Sequence, residues 1–234
     1  MGVVTGSPAS TDVRGMFDRI AGRYDAANRV MSIGIDVRWR RKAMRPLLAD
    51  LPQGGCVLDL GAGTLDGALE ILKRRPDSRV VAADFAREML KAGRRKAGAD
   101  RVATHAADGH ALPYATGAFD GAFSAFCVRN LHDLPRALGE LRRVLRPGSP
   151  LVVLEFFRPA RPRLFFDRFY NAHLLPLVGW AVTGDRAAYQ YLPQSIARFL
   201  SRPEFEERVR QAGFANVEGT DLFPAGVASL VVAR

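Results

Sequence analysis

The clearest chemical signal in the sequence is a run of small residues between two carboxylates. Asp59-Leu-Gly61-Ala-Gly63-Thr64 places glycines where an apolar strand would hand over to a helix, and Asp84 ends a second apolar run 21 residues after Gly63. Glycine lets a backbone turn sharply and lets a ligand come close, and a carboxylate at this spacing can accept hydrogen bonds from both hydroxyls of an adenosine ribose. Asp108-Gly109, after the next apolar run, is placed to reach an adenine amino group. Asp120 reads equally well as a helix or loop cap.

Charge selects among nucleoside cofactors. A dinucleotide brings its pyrophosphate to the start of the helix and tolerates no anion there. Here Asp59 lies two residues before the first glycine and Asp66 just after the loop. Two unit charges about 4 Å apart repel by roughly 4 kcal/mol at an effective dielectric of about 20. S-adenosyl-L-methionine has no phosphate and carries a cationic sulfonium and ammonium, so Asp59 favours it, directly or through water. The third glycine, Gly67, is also one place late for a Gly-x-Gly-x-x-Gly dinucleotide loop. These residues predict a methyl donor.

The elements that must position such a site alternate. Strands are expected over 56–60, 79–83, 101–105, 119–128 and 151–157, with helices over about 64–75, 86–97 and 134–145 between them. That alternation predicts an α/β, Rossmann-like domain: a mostly parallel sheet, helices on both faces and right-handed crossovers. Arg129 and Asn130 fall where the fourth strand ends, the edge at which doubly wound sheets bind ligands. Before the sheet, residues 11–50 read as a helical N-terminal cap: Val13, Met16, Phe17, Ile20 and Tyr24 make one apolar stripe, and a second helix spans about 37–50. Residues 1–10 read as a flexible tail. Residues 158–200 form a helical, aromatic insert holding Phe165, Phe166, Phe169, Tyr170, Trp180, Tyr189 and Tyr191. A last helix over 203–212 and strands over 215–222 and 227–233 close one domain running from 11 to 234.

Composition bounds the class. A chain of 234 residues with 48% hydrophobic content suits one packed domain. Cys56 and Cys127 show no metal or redox spacing and read as inert core thiols, and no metal site is expected. No secretory leader is evident, and no apolar run approaches the roughly 20 residues of a membrane span, so a cytoplasmic location is expected. The net charge of +10 raises anionic partners, but the arginines are scattered, densest at Arg38–Lys42 and Arg94–Lys96, and no RNA-stacking or helix-turn-helix pattern accompanies them. No nucleic-acid partner is expected.

The sequence resembles the ubiquinone/menaquinone biosynthesis C-methyltransferase family over residues 11 to about 232. The resemblance is carried by Val13-Arg-Gly-Met-Phe-Asp-Arg-Ile-Ala-Gly-Arg-Tyr24-Asp25-Ala-Ala-Asn28, Met31-Ser-Ile-Gly34-Ile-Asp36, Trp39-Arg40, Ala111-Leu-Pro-Tyr114, Phe119-Asp120, Val128-Arg129-Asn130-Leu131, Arg143-Val-Leu-Arg-Pro-Gly148, Leu154-Glu155-Phe156 and Tyr189-Gln-Tyr191-Leu192 with Ser195-Ile196. It implies a class I methyltransferase fold with one antiparallel strand near the C-terminus. It implies methyl transfer from S-adenosyl-L-methionine to a ring carbon of a polyprenylated quinol, demethylmenaquinol or a methoxy-polyprenyl-benzoquinol. It also implies cofactor contacts from Thr64, Asp84, Asp108 and Gly109. The sequence departs from the family at three places. Leu65 replaces a glycine, and Ala125 replaces a cofactor-contacting serine, so that one bond is lost or made by backbone. The late stretch Ala225-Gly226-Val-Ala-Ser-Leu230 lacks a histidine.

Such a transfer needs an oriented, water-free ring and a stabilised phenolate. The resemblance points to Arg129 in deprotonation through water. Arginine is too weak an acid to serve as the base, so Arg129 is expected to hold the phenolate electrostatically while Asn130 orients the ring oxygen; a structural ion pair is the alternative for Arg129. Tyr24 is expected over the donor methyl, or as plain core. His173, near Tyr170, is the one histidine considered as base, and His105, His110 and His132 are read as structural. The insert and the N-terminal helices would enclose a prenyl tail, and the basic clusters could dock the protein peripherally on anionic membrane. The reading allows a homodimer. Two rival readings remain: a methyltransferase for another lipid-like or phenolic molecule, and a non-catalytic donor-binding protein with a nucleic-acid or assembly partner.

Overall fold

The computed structural model describes residues 10–32, 34–159, 186–223 and 227–234. Seven strands form one sheet: β1 (Cys56–Leu60), β2 (Arg79–Asp84), β3 (Val102–Ala106), β4 (Gly121–Ala125), β5 (Leu151–Glu155), β6 (Val217–Asp221) and β7 (Ser229–Ala233), in the order β3-β2-β1-β4-β5-β7-β6. All neighbours pair in parallel except β7, which runs antiparallel between β5 and β6. This is the Rossmann-like sheet that the alternation predicts, with the one reversed strand that the family resemblance implies.

Burial along the strands explains their order. Every residue of β5 is buried, whereas the edge strands β3 and β6 are mostly open. Central parallel strands are covered on both faces and therefore read as continuous apolar runs. Alternate residues feed two cores. Val57, Phe123 and Val152 join a cluster with Trp39, Met44, Leu47 and Ile71; Leu58, Ala122 and Val153 join another with Leu138, Leu141 and Phe205. The first lies under α3 (Ile35–Leu48) and α4 (Asp66–Arg74), the second under α6 (Leu134–Val144) and α8 (Arg202–Gln211). Helix α6 shows why its sequence stops and starts where it does. The Asp133 side chain accepts from the Arg136 N–H, proline stands in the first turn, and Leu134, Ala137, Leu138, Leu141 and Val144 form one buried stripe.

The N-terminal region differs from the expected pattern. The stripe from Val13 to Tyr24 is not one helix: α1 (Ser10–Ile20) ends, the Arg23 N–H bonds the Ile20 carbonyl, and Tyr24 opens α2 (Tyr24–Ser32). Gly22 in that turn accounts for the break. Val13, Met16 and Ile20 are buried as expected. α3 starts two residues earlier than the sequence pattern indicates, after Gly34 at φ 74°. The fourth strand is shorter than expected. It stops at Ala125 because Phe126 turns to φ 57° and a 3-10 turn, Val128–Asn130, follows. α5 (Arg87–Gly93) likewise ends before the predicted boundary. Of the insert, α7 (Arg186–Arg198) is described; Phe165, Phe166, Phe169, Tyr170, His173 and Trp180 lie outside the described residues, as does the tail before residue 10. Among the described residues no helix is long and apolar enough to cross a membrane.

Candidate active site

The chain runs outward from β1 to β2 and β3, then crosses back to place β4 on the other side of β1. Ligands bind in open α/β sheets at such a reversal, beyond the carboxyl ends of the strands. A cleft lies there, lined by Gly61 and Gly63 after β1, Asp84 at the end of β2, Ala125 to Cys127 and Asn130 after β4, and Tyr24 from α2.

The loop after β1 is built by backbone. Gly61 sits at φ 71°, its N–H bonds the Ala83 carbonyl at 2.8 Å, and any Cβ there would overlap the Cys127 sulfur. Gly63, at φ 52°, donates its N–H to Asp84 Oδ2 at 2.8 Å, while the Ala86 N–H bonds Oδ1. Burial nevertheless pushes the Asp84 carboxyl up to about 6. Leu65 takes φ 69° with its side chain fully buried. That left-handed backbone costs roughly 1–2 kcal/mol for a residue with a Cβ. The side chain lies where a Cβ on Gly93 would come within 2.5 Å of it.

Asp59 stands apart from the cleft lining. It is 1% exposed, lies behind the glycine loop, and accepts from the Ala68 N–H at the start of α4. Oδ2 has no hydrogen-bond partner among the described residues. Burial pushes this carboxyl up to about 7. The late glycine now has a reason: a Cβ on Gly67 would stand 2.6 Å from Asp59 Oδ2.

Asp108 and Gly109 are not brought to the cleft lining. The Asp108 side chain is 65% exposed and holds His110 through its N–H at 2.9 Å and Nδ1 at 2.5 Å. Burial opposes its ionisation, but these His110 bonds hold the carboxyl below its ordinary value. His110 in turn lies 4.0 Å from the His132 ring, and His105 stacks on Tyr114. These histidines have packing partners, in keeping with a structural reading. Asp120 accepts from the Cys56 N–H and pairs with Arg146, tying the start of β1. Cys127 meets the Gly61 turn, and burial pushes its thiol far up.

Arg129 is 6% exposed and pairs with the fully buried Glu155 at 2.7 Å. The same Nη1 donates to the Phe126 carbonyl, Nε donates to Ser195 Oγ at 3.3 Å, and the guanidinium lies 5.8 Å from the Phe156 ring. Although burial alone would lower it, the Glu155 carboxylate raises the Arg129 pKa above its ordinary value, so the guanidinium stays charged. Arg129 thus stands in a buried ion pair beside the cleft. Next to it, Asn130 accepts a hydrogen bond from Tyr191 Oη at 2.9 Å through Oδ1 and lines the cleft. Tyr24 faces the same cleft beside Asn28 and Phe17, and burial pushes its hydroxyl up.

Thr64 does not turn to the cleft. Its Oγ1 donates to Asp25 Oδ1 at 2.5 Å, and Lys96 bridges Asp25 and Asp66 at 2.6 Å each. Arg40 continues the chain to Asp66 and Asp36. α2 and α3 are thereby bolted to the glycine loop. Sequence reasoning did not single out Asp25, Lys96, Glu155 or Ser195 for a role at the site. Only Glu155 had a local signal, as the one acid ending a wholly apolar strand. A wider depression lined by His110, Arg136, Glu140 and Arg143 lies elsewhere, and its charges bond one another and backbone carbonyls.

The sequence model of the ubiE/COQ5 methyltransferase family matches residues 6–233. The chain is 43% identical to the demethylmenaquinone methyltransferase of Thermus thermophilus over 93% of its length and 98% of the relative. It is 41% identical to the ubiquinone/menaquinone biosynthesis C-methyltransferase UbiE of Paracoccus denitrificans, over 93% and 88%. Among solved structures it is similar to a SAM-dependent methyltransferase from Aquifex aeolicus, with TM-score 0.58, 21% identity and coverage of 83% and 88%. It is also similar to the [4+2]-cyclase SpnF, with TM-score 0.71, 19% identity and 97% coverage of both chains. At these identities the structures speak for the fold alone, and the cyclase shows that this fold serves more than one reaction.

Proposed function

The chain belongs to the ubiE/COQ5 methyltransferase family, and on that premise we propose that it methylates a ring carbon of a polyprenylated quinol, demethylmenaquinol or a methoxy-polyprenyl-benzoquinol. The donor in this reading is S-adenosyl-L-methionine. The residues present suit it: the cleft is lined by Asp84 and by glycines where a Cβ would intrude or strain the backbone, and none of its lining residues is a cation. When bound, this group supplies an electrophilic methyl.

The protein's own residues supply the rest. Asp84 would receive the ribose hydroxyls, in exchange for one of the two backbone N–H groups it now holds. Gly61 and Gly63 allow close approach, and Ala125 offers backbone only. Asp59 would act from behind the loop by its charge. Thr64 would act through Asp25, and Asp108 and Gly109 would have to close over the adenine. Tyr24 walls the cleft. Asn130 would donate its amide N–H to the ring oxygen, since Tyr191 already occupies its carbonyl. The buried Arg129 charge, tempered by Glu155, would favour the phenolate once the ring hydroxyl loses its proton. Residues 11–50 serve as the cap in this reading, within one domain over 11–234.

The observation that carries the reading is that Asn130, adjoining a buried arginine, lines the same cleft as the glycine loop and Asp84. The test is transfer of labelled methyl to demethylmenaquinol and to the benzoquinol precursor in parallel. Label in the ring of either supports it; no transfer to either overturns it. Because such quinols reside in lipid, the working place proposed for the enzyme is the cytoplasmic face of a membrane.

A further inference from the structure

The basic clusters seen in the sequence are divided by the fold. Lys96 is committed to Asp25 and Asp66, Arg40 to Asp36 and Asp66, and Arg41 reaches Glu70. Of the first cluster Arg38 and Lys42 remain, joined by Arg45 in the next turn of α3, and of the second Arg94 and Arg95 remain. Arg38, Lys42 and Arg45 are spaced four and three residues apart on α3, which puts them on one helix face. All three are exposed and none has an acidic partner among the described residues. Trp39, next to Arg38 in the chain and about 100° round the helix from it, is buried, and its indole N–H donates to the Phe223 carbonyl at 2.8 Å. The Phe223 side chain is 87% exposed. An open phenyl ring is thus carried by a backbone that Trp39 ties to the helix bearing these three cations.

The same tryptophan leads inward. Its ring lies 6.0 Å from Phe156 and 6.4 Å from Phe126, which stack on each other at 4.5 Å, and Phe126 lines the cleft. A file of aromatic rings therefore runs from Trp39 to the reaction cleft.

We infer that Phe223 with Arg38, Lys42 and Arg45 forms the surface by which the enzyme sits on an anionic bilayer, and that Trp39, Phe126 and Phe156 form the path by which a substrate's hydrocarbon tail reaches the cleft. The tail path rests on the quinol reading; the docking surface does not. A lipid surface fits better than a nucleic acid, because an exposed phenyl ring can enter the acyl boundary while the cations of α3 meet headgroups.

The test uses flotation with vesicles of phosphatidylglycerol and phosphatidylcholine. Each surface cation contributes about 1 kcal/mol, so Arg38→Gln/Lys42→Gln/Arg45→Gln should weaken vesicle binding by about a hundredfold. Phe223→Ser should weaken it by about tenfold, through loss of most of a buried phenyl's transfer energy. Arg94→Gln/Arg95→Gln, at the end of α5 beside β2 and β3, should leave it unchanged, and thermal melts should show all variants folded. Both surface variants should lose turnover of quinol embedded in vesicles while keeping turnover of a short-tailed quinol in solution. Binding that survives both surface variants, or wild-type protein that retains RNA but not vesicles, overturns the proposal. Correct flotation with no methylation of any quinol leaves the docking surface standing and removes the reaction reading instead.

Discussion

Arg129 and Glu155 form a buried ion pair, 2.7 Å apart and nearly closed to solvent, one residue along the chain from the cleft-lining Asn130. An arginine expected to work on substrate is thus also a member of the core. Removing one partner strands the other without solvent. Arg129→Ala should cost about 3–5 kcal/mol of stability, and the double change Arg129→Met with Glu155→Leu should recover most of it, seen as a restored melting temperature. Activity should not return with stability. If Arg129→Lys and Arg129→Ala both turn over near normally, Arg129 has no part in the chemistry.

The hydrogen bond from Tyr191 to Asn130 fixes which end of the amide faces the cleft. Tyr191→Phe releases that choice. Since a single such bond is worth about 1 kcal/mol, kcat should fall roughly five- to tenfold with KM for the donor unchanged. An equal change in donor KM would show that Tyr191 acts on the donor pocket instead.

Asp59 and Asp84 make the same demand on pH, and folding and donor binding pull it in opposite directions. Both carboxyls are raised, to about 7 and about 6, by burial. Each binds its proton more tightly when folded, so the stability it contributes is full below about pH 4 and is lost as pH rises through 6 to 7. Ligand-free protein should become less stable over that range, and Asp59→Asn should flatten the trend and raise the melting temperature at pH 8. A cationic donor prefers the ionised carboxylates, so its affinity should increase over the same range by calorimetry. A melting curve identical for Asp59→Asn and the parent at pH 8 would show that the Asp59 charge is not destabilising.

The bridge from Lys96 to Asp25 and Asp66 ties the N-terminal helices to the glycine loop. Lys96→Met leaves two acids facing each other and should release α2. Donor affinity should drop by about tenfold, with faster hydrogen exchange confined to 10–32, which Lys96→Arg should reverse in part. Single exposed pairs are worth under about 1 kcal/mol, so a larger effect here would mark the three-member network as cooperative. No change in exchange would mean that α2 is held by Tyr24 and Phe17 packing alone.

How much of this the sequence discloses depends on the range of the contacts involved. The sheet was legible because its strands are short apolar runs at regular intervals, and a buried run such as Leu151 to Leu154 admits few other readings. The glycine loop and Asp84 were legible because their relation is set by one strand and one helix. The break at Gly22 was not, because the apolar stripe on either side keeps helical phase across it. Nor was the position of Asp59. Spacing identifies a carboxylate near the loop, and only the packing of Gly67 against it decides that it sits behind rather than within the cleft. The pairing of Arg129 with Glu155 spans 26 residues, and that of Thr64 with Asp25 spans 39. No local pattern registers such distances.

Leu65 and Gly93 fit as bolt and socket. The leucine holds a backbone shape for which glycine would serve without strain, and its bulk lies where a side chain at 93 would otherwise go. Position 93 is closed twice over, since a Cβ there would also meet the Thr64 carbonyl carbon and oxygen at 2.7 and 2.8 Å. A descendant with glycine at 65 would gain an easier turn and an empty space beneath α5, yet position 93 would still exclude any side chain. Drift is therefore open at 65 and shut at 93.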